Sequence, residues 1–192
     1  MLALAEMFYS LQGEGTWTGT PAVFVRLAGC NLNCRFCDTD YSLKFFASAS
    51  EVVARVRELG GTCPMVVLTG GEPLAQAAAS ELIELLQADG RRVHVESNGS
   101  IPVDLPEGVW LTVSPKERLS PAMAARADEV KLIVDGAIPF DWLPSFAGRD
   151  VPVFLQPEGN KPRNVALALA AAKAAPARFR LSLQTHKFIG IP

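Results

Sequence analysis

Cys30, Cys34 and Cys37 fall within eight residues, directly after the apolar run 23–29. Three thiolates on one short loop are ligands for a soft metal or an iron-sulfur cluster. Tetrahedral zinc sites normally take four protein ligands, often as two paired arms, and the remaining cysteine, Cys63, stands alone and distant in sequence. A cluster with one iron left open fits that count better. A zinc knob or three buried thiols are the plainer readings of the same residues.

Other chemistry-bearing residues stand at the ends of apolar runs. Arg26 interrupts the run 22–28. An arginine is costly to bury unpaired, so it either joins a structural ion pair or offers its fork of donors to a substrate carboxylate. Gln12 and Glu14 flank Gly13 in Leu11-Gln12-Gly13-Glu14-Gly15, which places an amide and a carboxylate in a glycine-rich loop that could equally be an ordinary turn. Thr69-Gly70-Gly71-Glu72-Pro73 exposes backbone beside a carboxylate, and by itself is as much a turn as a site. Ser114-Pro115-Lys116 reads as a turn start with a solvated lysine. Read alone, Thr39 is a cap or turn residue, His186 a surface histidine and Pro192 a frayed end.

The elements that must position these groups alternate. Strands are expected at 2–10, 21–28, 65–69, 92–96, 109–113, 129–134, 151–155 and 179–183, from apolar and β-branched runs bounded by turn residues. Helices are expected after the capping box Ser48-Ala49-Ser50-Glu51, and over 75–89, 121–127 and 164–174, with a short helical turn at 140–146. Strands alternating with helices imply a parallel sheet with right-handed crossovers. The polar clusters nearly all follow strands, so a parallel (β/α) barrel would gather them on one rim. About six such strands are too few to close the eightfold form, so the expectation is an α/β fold with an open, partial barrel in one domain spanning 1–192.

The 192 residues are 49% hydrophobic and carry a net charge of −2. That balance offers no basic field for nucleic acid or an anionic membrane, which leaves a small molecule as the expected partner. No apolar stretch is long enough to span a membrane, and Glu6 breaks the N-terminus without a signal-peptide layout. Clustered cysteines without a disulfide framework fit a reducing, cytoplasmic setting. Cys63 reads as a buried thiol.

The spacing Cys30-x3-Cys34-x2-Cys37, with Phe36 inside the last gap, resembles the signature of the radical S-adenosylmethionine superfamily. The resemblance implies that the three cysteines hold a 4Fe-4S cluster whose fourth iron is chelated by the amino and carboxylate groups of S-adenosylmethionine. It makes Gly71 and Glu72 part of the motif that binds the methionyl amino group. Phe36, Asp38, Ser114, Pro115 and Lys116 would contact the cofactor, as would Gln156, Pro157 and Glu158 at its ribose or methionyl portion.

The set of motifs at 11–15, 26, 37–39, 69–73, 96–99 and 113–116, with the tail at Pro192, resembles the 7-carboxy-7-deazaguanine synthase family from end to end. That narrower resemblance implies a lyase that converts 6-carboxy-5,6,7,8-tetrahydropterin to 7-carboxy-7-deazaguanine plus ammonia, on the route to queuosine. A 5'-deoxyadenosyl radical would remove hydrogen from C6, and the ring would then contract. Leu11, Gln12, Gly13, Glu14, Arg26, Thr69, His186 and the terminal carboxylate of Pro192 would bind the pterin, and Thr39 would give its hydroxyl to Mg2+. A hard hydroxyl oxygen suits magnesium, which keeps waters or substrate oxygens beside few protein atoms. The resemblance also implies a homodimer and a flavodoxin-like or other one-electron donor. The alternatives are an activase that makes a glycyl radical on a partner protein, and a non-catalytic zinc-binding module.

Overall fold

The computed structural model describes residues 1–192. Strand β1 (Leu2–Leu11) pairs antiparallel with β2 (Pro21–Leu27) on one side and with the short β3 (Phe45–Ala47) on the other. From β2 the sheet runs parallel through β4 (Met65–Gly70), β5 (Arg92–Ser97), β6 (Trp110–Val113), β7 (Glu129–Val134), β8 (Val153–Pro157) and β9 (Phe179–Leu181). Six successive parallel pairings therefore join seven strands, one more than the sequence suggests. The order β3-β1-β2-β4-β5-β6-β7-β8-β9 leaves both edges free. The result is the open, partial barrel expected.

The helices are α1 (Ala49–Gly60), α2 (Ala79–Ala88), α3 (Pro121–Arg126), α4 (Pro162–Ala174) and α5 (Thr185–Ile189). Ser48 caps α1 in a reciprocal capping box with Glu51. Helix α2 starts later than its apolar pattern implies, because Glu72 and Pro73 first set up a single 3-10 turn, Pro73–Ala75. Two elements were not anticipated. β3 and α5 have three and five residues, too few to display a period.

Side chains alternate across each strand, and the two faces meet different environments. Val23, Val25, Leu27, Val66, Leu68 and Leu111 point outward and join helix residues such as Val56, Leu82 and Met123 in a cluster of 34 buried apolar residues. The inward set forms only a four-residue apolar plug, Ala22, Phe24, Met65 and Val67, flanked by Phe8 and Trp17. The other inward positions include His94, Thr112, Glu129, Lys131 and Gln156, all buried and polar. Hydrophobic cohesion thus lies between sheet and helices, and the lumen is left for polar groups. No helix is long and apolar enough to cross a membrane.

Candidate active site

A cleft of about 260 Å³ opens at the carboxyl ends of the parallel strands, the end at which parallel barrels present their functional loops. All three clustered cysteines line it, as do Phe36, Asp38 and Thr39 from the same loop. From the other strand ends come Leu11, Gln12, Gly13, Glu14, Arg26 and Thr69. Gly71, Ser114, Lys116, Gln156 and Glu158 line it too, together with His186 and Pro192 from the chain's end. Register explains one adjacency directly: Arg26 of β2 pairs with Thr69 of β4.

Three expected cofactor contacts are not among the lining residues. Pro115 and Pro157 are buried and shape the backbone between neighbours that do line the cleft. Glu72 is fully buried, with its carboxylate turned into the strand ends to accept hydrogen bonds there. An acid with three protein donors around it has little capacity left for a ligand.

The cysteine loop fits a cluster. Cys30, Cys34, Cys37 and Cys63 are all free thiols. Burial pushes the Cys30 and Cys34 thiols up, opposed at Cys30 by the Leu32 amide and at Cys34 by Lys116, and the neighbouring cysteines add to the rise. Thiols raised in this way give up their protons only with a cation beside them, which a bound cluster would supply. Yet no three Cys, His, Asp or Glu side chains come close enough together to hold a single metal ion. Three sulfurs from one loop lining a shared cleft are the donor set of a polynuclear cluster with an open position. Gly71 is glycine for a steric reason: a Cβ there would lie 2.2 Å from the Gly29 carbonyl oxygen and 2.6 Å from Cys30 Cβ. Cys63 takes no part, its Sγ donating to the Pro21 carbonyl at 3.3 Å.

The lumen supplies a group that sequence reasoning missed. Lys131 Nζ lies 2.6 Å from Glu14 Oε2 and 3.0 Å from Glu96 Oε2. Gln12 Nε2 donates to the other oxygen of Glu96 at 2.9 Å. Burial alone would pull the Lys131 ammonium down, but the two carboxylates outweigh it and hold it up. Glu96 is held low because Lys131 overcomes the cost of its burial. The signal was a lysine inside the apolar strand Glu129–Val134, which could be buried only with partners. Lys116, beside the ring of Phe36 at 5.8 Å, is lowered to about 8 by burial and by Lys131.

Arg26 forms the structural ion pair of its first reading. Its Nε pairs with Glu6 at 2.6 Å, and the residue still lines the cleft. The chain's end folds over the same opening. Thr185 bonds Gly13 O through its amide at 3.0 Å and its hydroxyl at 2.9 Å. Gln184 Nε2 donates to Glu14 Oε1 at 3.2 Å, and Ser10 Oγ donates to the Pro192 oxygen at 2.9 Å. His186 lies so close to Gly13 that a Cβ there would stand 2.2 Å from its Nδ1.

Comparison with known proteins agrees with this geometry. Residues 25–109 match the Radical SAM superfamily. The chain is 41% identical to the 7-carboxy-7-deazaguanine synthase of Bacteroides thetaiotaomicron, covering 100% of this chain and 99% of that one. The enzyme of the same name from Rhodospirillum rubrum is 39% identical, over 99% of this chain and 92% of its own. The crystal structure of QueE from Escherichia coli superposes with a TM-score of 0.83 at 30% identity, covering 96% of this chain and 94% of that one. The chain therefore belongs to the 7-carboxy-7-deazaguanine synthase family of radical S-adenosylmethionine enzymes.

Proposed function

We propose that this protein is a 7-carboxy-7-deazaguanine synthase, a lyase contracting the ring of 6-carboxy-5,6,7,8-tetrahydropterin with loss of ammonia. The observation that carries the reading is the meeting of Arg26, Thr69, Glu14, Glu96 and Lys131 with all three clustered cysteines around one cleft. It uses a 4Fe-4S cluster and S-adenosylmethionine, which when bound supply the radical that removes hydrogen from the substrate.

The chain's own residues bind, orient and enclose. Cys30, Cys34 and Cys37 hold the cluster, and Phe36, Asp38, Gly71, Ser114, Lys116, Gln156 and Glu158 surround the cofactor. Arg26, fixed at Nε by Glu6, presents the rest of its guanidinium to the substrate carboxylate. Glu96 is kept ionised by Lys131 against the cost of its burial, and it and Glu14, which pairs with the same ammonium, accept N–H donors of the pterin ring. Leu11, Gln12, Gly13, Thr69, His186 and Pro192 complete that pocket. Thr39 offers one hydroxyl to Mg2+, with the remaining ligands coming from substrate and water. α5 covers the opening and limits water access while a radical is present.

The chain acts as a single domain that pairs as a homodimer and takes its electron from a flavodoxin-like or similar donor. A cleft of about 260 Å³, with His186 of α5 at its edge, suits a small molecule, which disfavours the glycyl-radical activase. The test is anaerobic turnover by the reconstituted, reduced protein with S-adenosylmethionine, Mg2+ and the carboxytetrahydropterin, read by mass. A deazapurine carboxylate is expected, and Arg26→Ala should lower kcat/KM by more than about tenfold. Absence of that product from cluster-loaded protein overturns the assignment.

A further inference from the structure

Glu72 sits in a Gly-Gly-Glu setting that implies contact with the cofactor, yet it is fully buried and does not line the cleft. Its Oε1 accepts from the Leu74 amide at 3.0 Å and from Ser97 Oγ at 3.0 Å, and its Oε2 accepts from the Asn98 amide at 2.7 Å. Its own amide donates to the carbonyl of Gly29 at 3.0 Å. Gly29 is the residue before Cys30.

The other flank of Cys30 leads back to the same residue, this time through its carboxylate. Asn98, whose amide Glu72 anchors, donates through Nδ2 to Asn31 Oδ1 at 3.0 Å. Asn31 Nδ2 donates to Ser100 Oγ at 2.9 Å, and the Ser100 amide returns to Asn98 Oδ1 at 2.8 Å. Cys30 is therefore gripped on both sides by groups that trace to Glu72. Gly71 closes the bracket by leaving no space between it and Cys30 Cβ. The rest of the loop is held differently. Cys34 accepts a local bond from the Cys37 amide, and the largely exposed Arg35 pairs with Asp135 at 2.8 Å.

We infer that Glu72 is a positioning residue for Cys30, acting through Asn98 and Asn31, and does not itself touch S-adenosylmethionine. This rests on the cluster shared by the family and not on the identity of the substrate. Three donors converge on the Glu72 carboxylate, so an amide in its place would turn an NH2 group toward one of them. Glu72→Gln is thus nearly isosteric but disrupts the arm of the bracket that runs from the carboxylate through Asn98, leaving the hydrogen bond of its amide to Gly29 in place. Asn31→Ala breaks its outer arm at a partly exposed position and leaves the buried carboxylate untouched.

The test compares reconstituted holoenzyme of the parent, E72Q and N31A by iron release to a ferrous chelator, by the electron paramagnetic resonance of the reduced cluster, by S-adenosylmethionine affinity and by thermal melting. Both variants are expected to release iron about tenfold faster and to show an altered cluster signal, with N31A melting like the parent. If E72Q does not fold, N31A alone decides. Parental iron release and signal in N31A would overturn the inference, as would an E72Q enzyme that keeps its cluster and loses only cofactor affinity. None of these readings depends on turnover, so failure here is distinct from failure of the proposed reaction.

Discussion

Asp38, the residue immediately after the last clustered cysteine, is ion-paired through Oδ2 with Lys187 Nζ, 149 positions further along the chain. Gln184 Nε2 reaches the same oxygen at 3.4 Å. The cysteine loop and the C-terminal helix are thereby fastened together across the mouth of the cleft. Burial opposes ionisation of Asp38, but the Lys187 ammonium prevails and holds its carboxyl below the usual range.

Both partners of that pair are more than a third exposed, so its effect on global stability should be small. Lys187→Ala is expected to change unfolding free energy by less than about 1 kcal/mol. The same substitution should raise the substrate KM several-fold, because the covering helix loses a tether. Denaturant unfolding together with steady-state kinetics checks both halves.

Removing Lys131 should be far more damaging. Lys131→Met leaves two carboxylates, each less than a fifth exposed, facing each other with no cation between them. The expected loss is about 3–5 kcal/mol of unfolding free energy. The double variant K131M/E96Q should recover part of it, since only one acid then remains at that position. Urea unfolding of the parent, single and double variants is the measurement.

His94 gives a pH dependence with a definite sign. It is buried, and burial lowers its pKa from the usual 6.5 to about 4, with Lys131 adding to the fall and Glu96 opposing it. Between those values the unfolded chain binds the proton and the folded chain does not. Stability therefore rises with pH through this window and is lost as pH falls from about 6.5 to about 4, by up to roughly 3 kcal/mol. His186, also lowered by burial, contributes in the same direction. His94→Gln should flatten the slope measured by melting between pH 4 and 6.5, leaving the smaller part from His186.

Gly71 should tolerate no side chain. An alanine there would drive its Cβ into the Gly29 carbonyl and against Cys30, so Gly71→Ala is expected to lower the iron taken up on reconstitution. Iron and sulfide analysis, set beside a thermal melt, separates a displaced cysteine from general unfolding.

Much of this site is legible in the sequence because its residues sit in loops whose glycines and cysteines have few other uses. The Cys30–Cys37 loop and the motif at Gly71 are of that kind, and both line the cleft. Lys131 was missed, and Glu96 was marked only as part of the motif at 96–99 without a role, because a strand's alternation says which face a residue takes, not what meets it across a barrel. Their partners, Glu14 and Gln12, come from a loop distant in sequence. Helix α5 escaped for lack of length, and Gln184 at its start was marked only as part of a polar cluster after the last strand. Glu72 shows the converse limit. A motif marks the position, but only the three donors around the carboxylate reveal which way it faces.

The division of the sheet into an apolar outer face and a polar lumen has an evolutionary corollary. The 34-residue cluster that holds the fold together contains none of Arg26, Thr69, Glu96 or Lys131. Selection can therefore rewrite inward positions in compensated pairs without eroding the scaffold. Catalytic specialisation in such a barrel can drift along one face of each strand while the opposite face stays under a separate constraint.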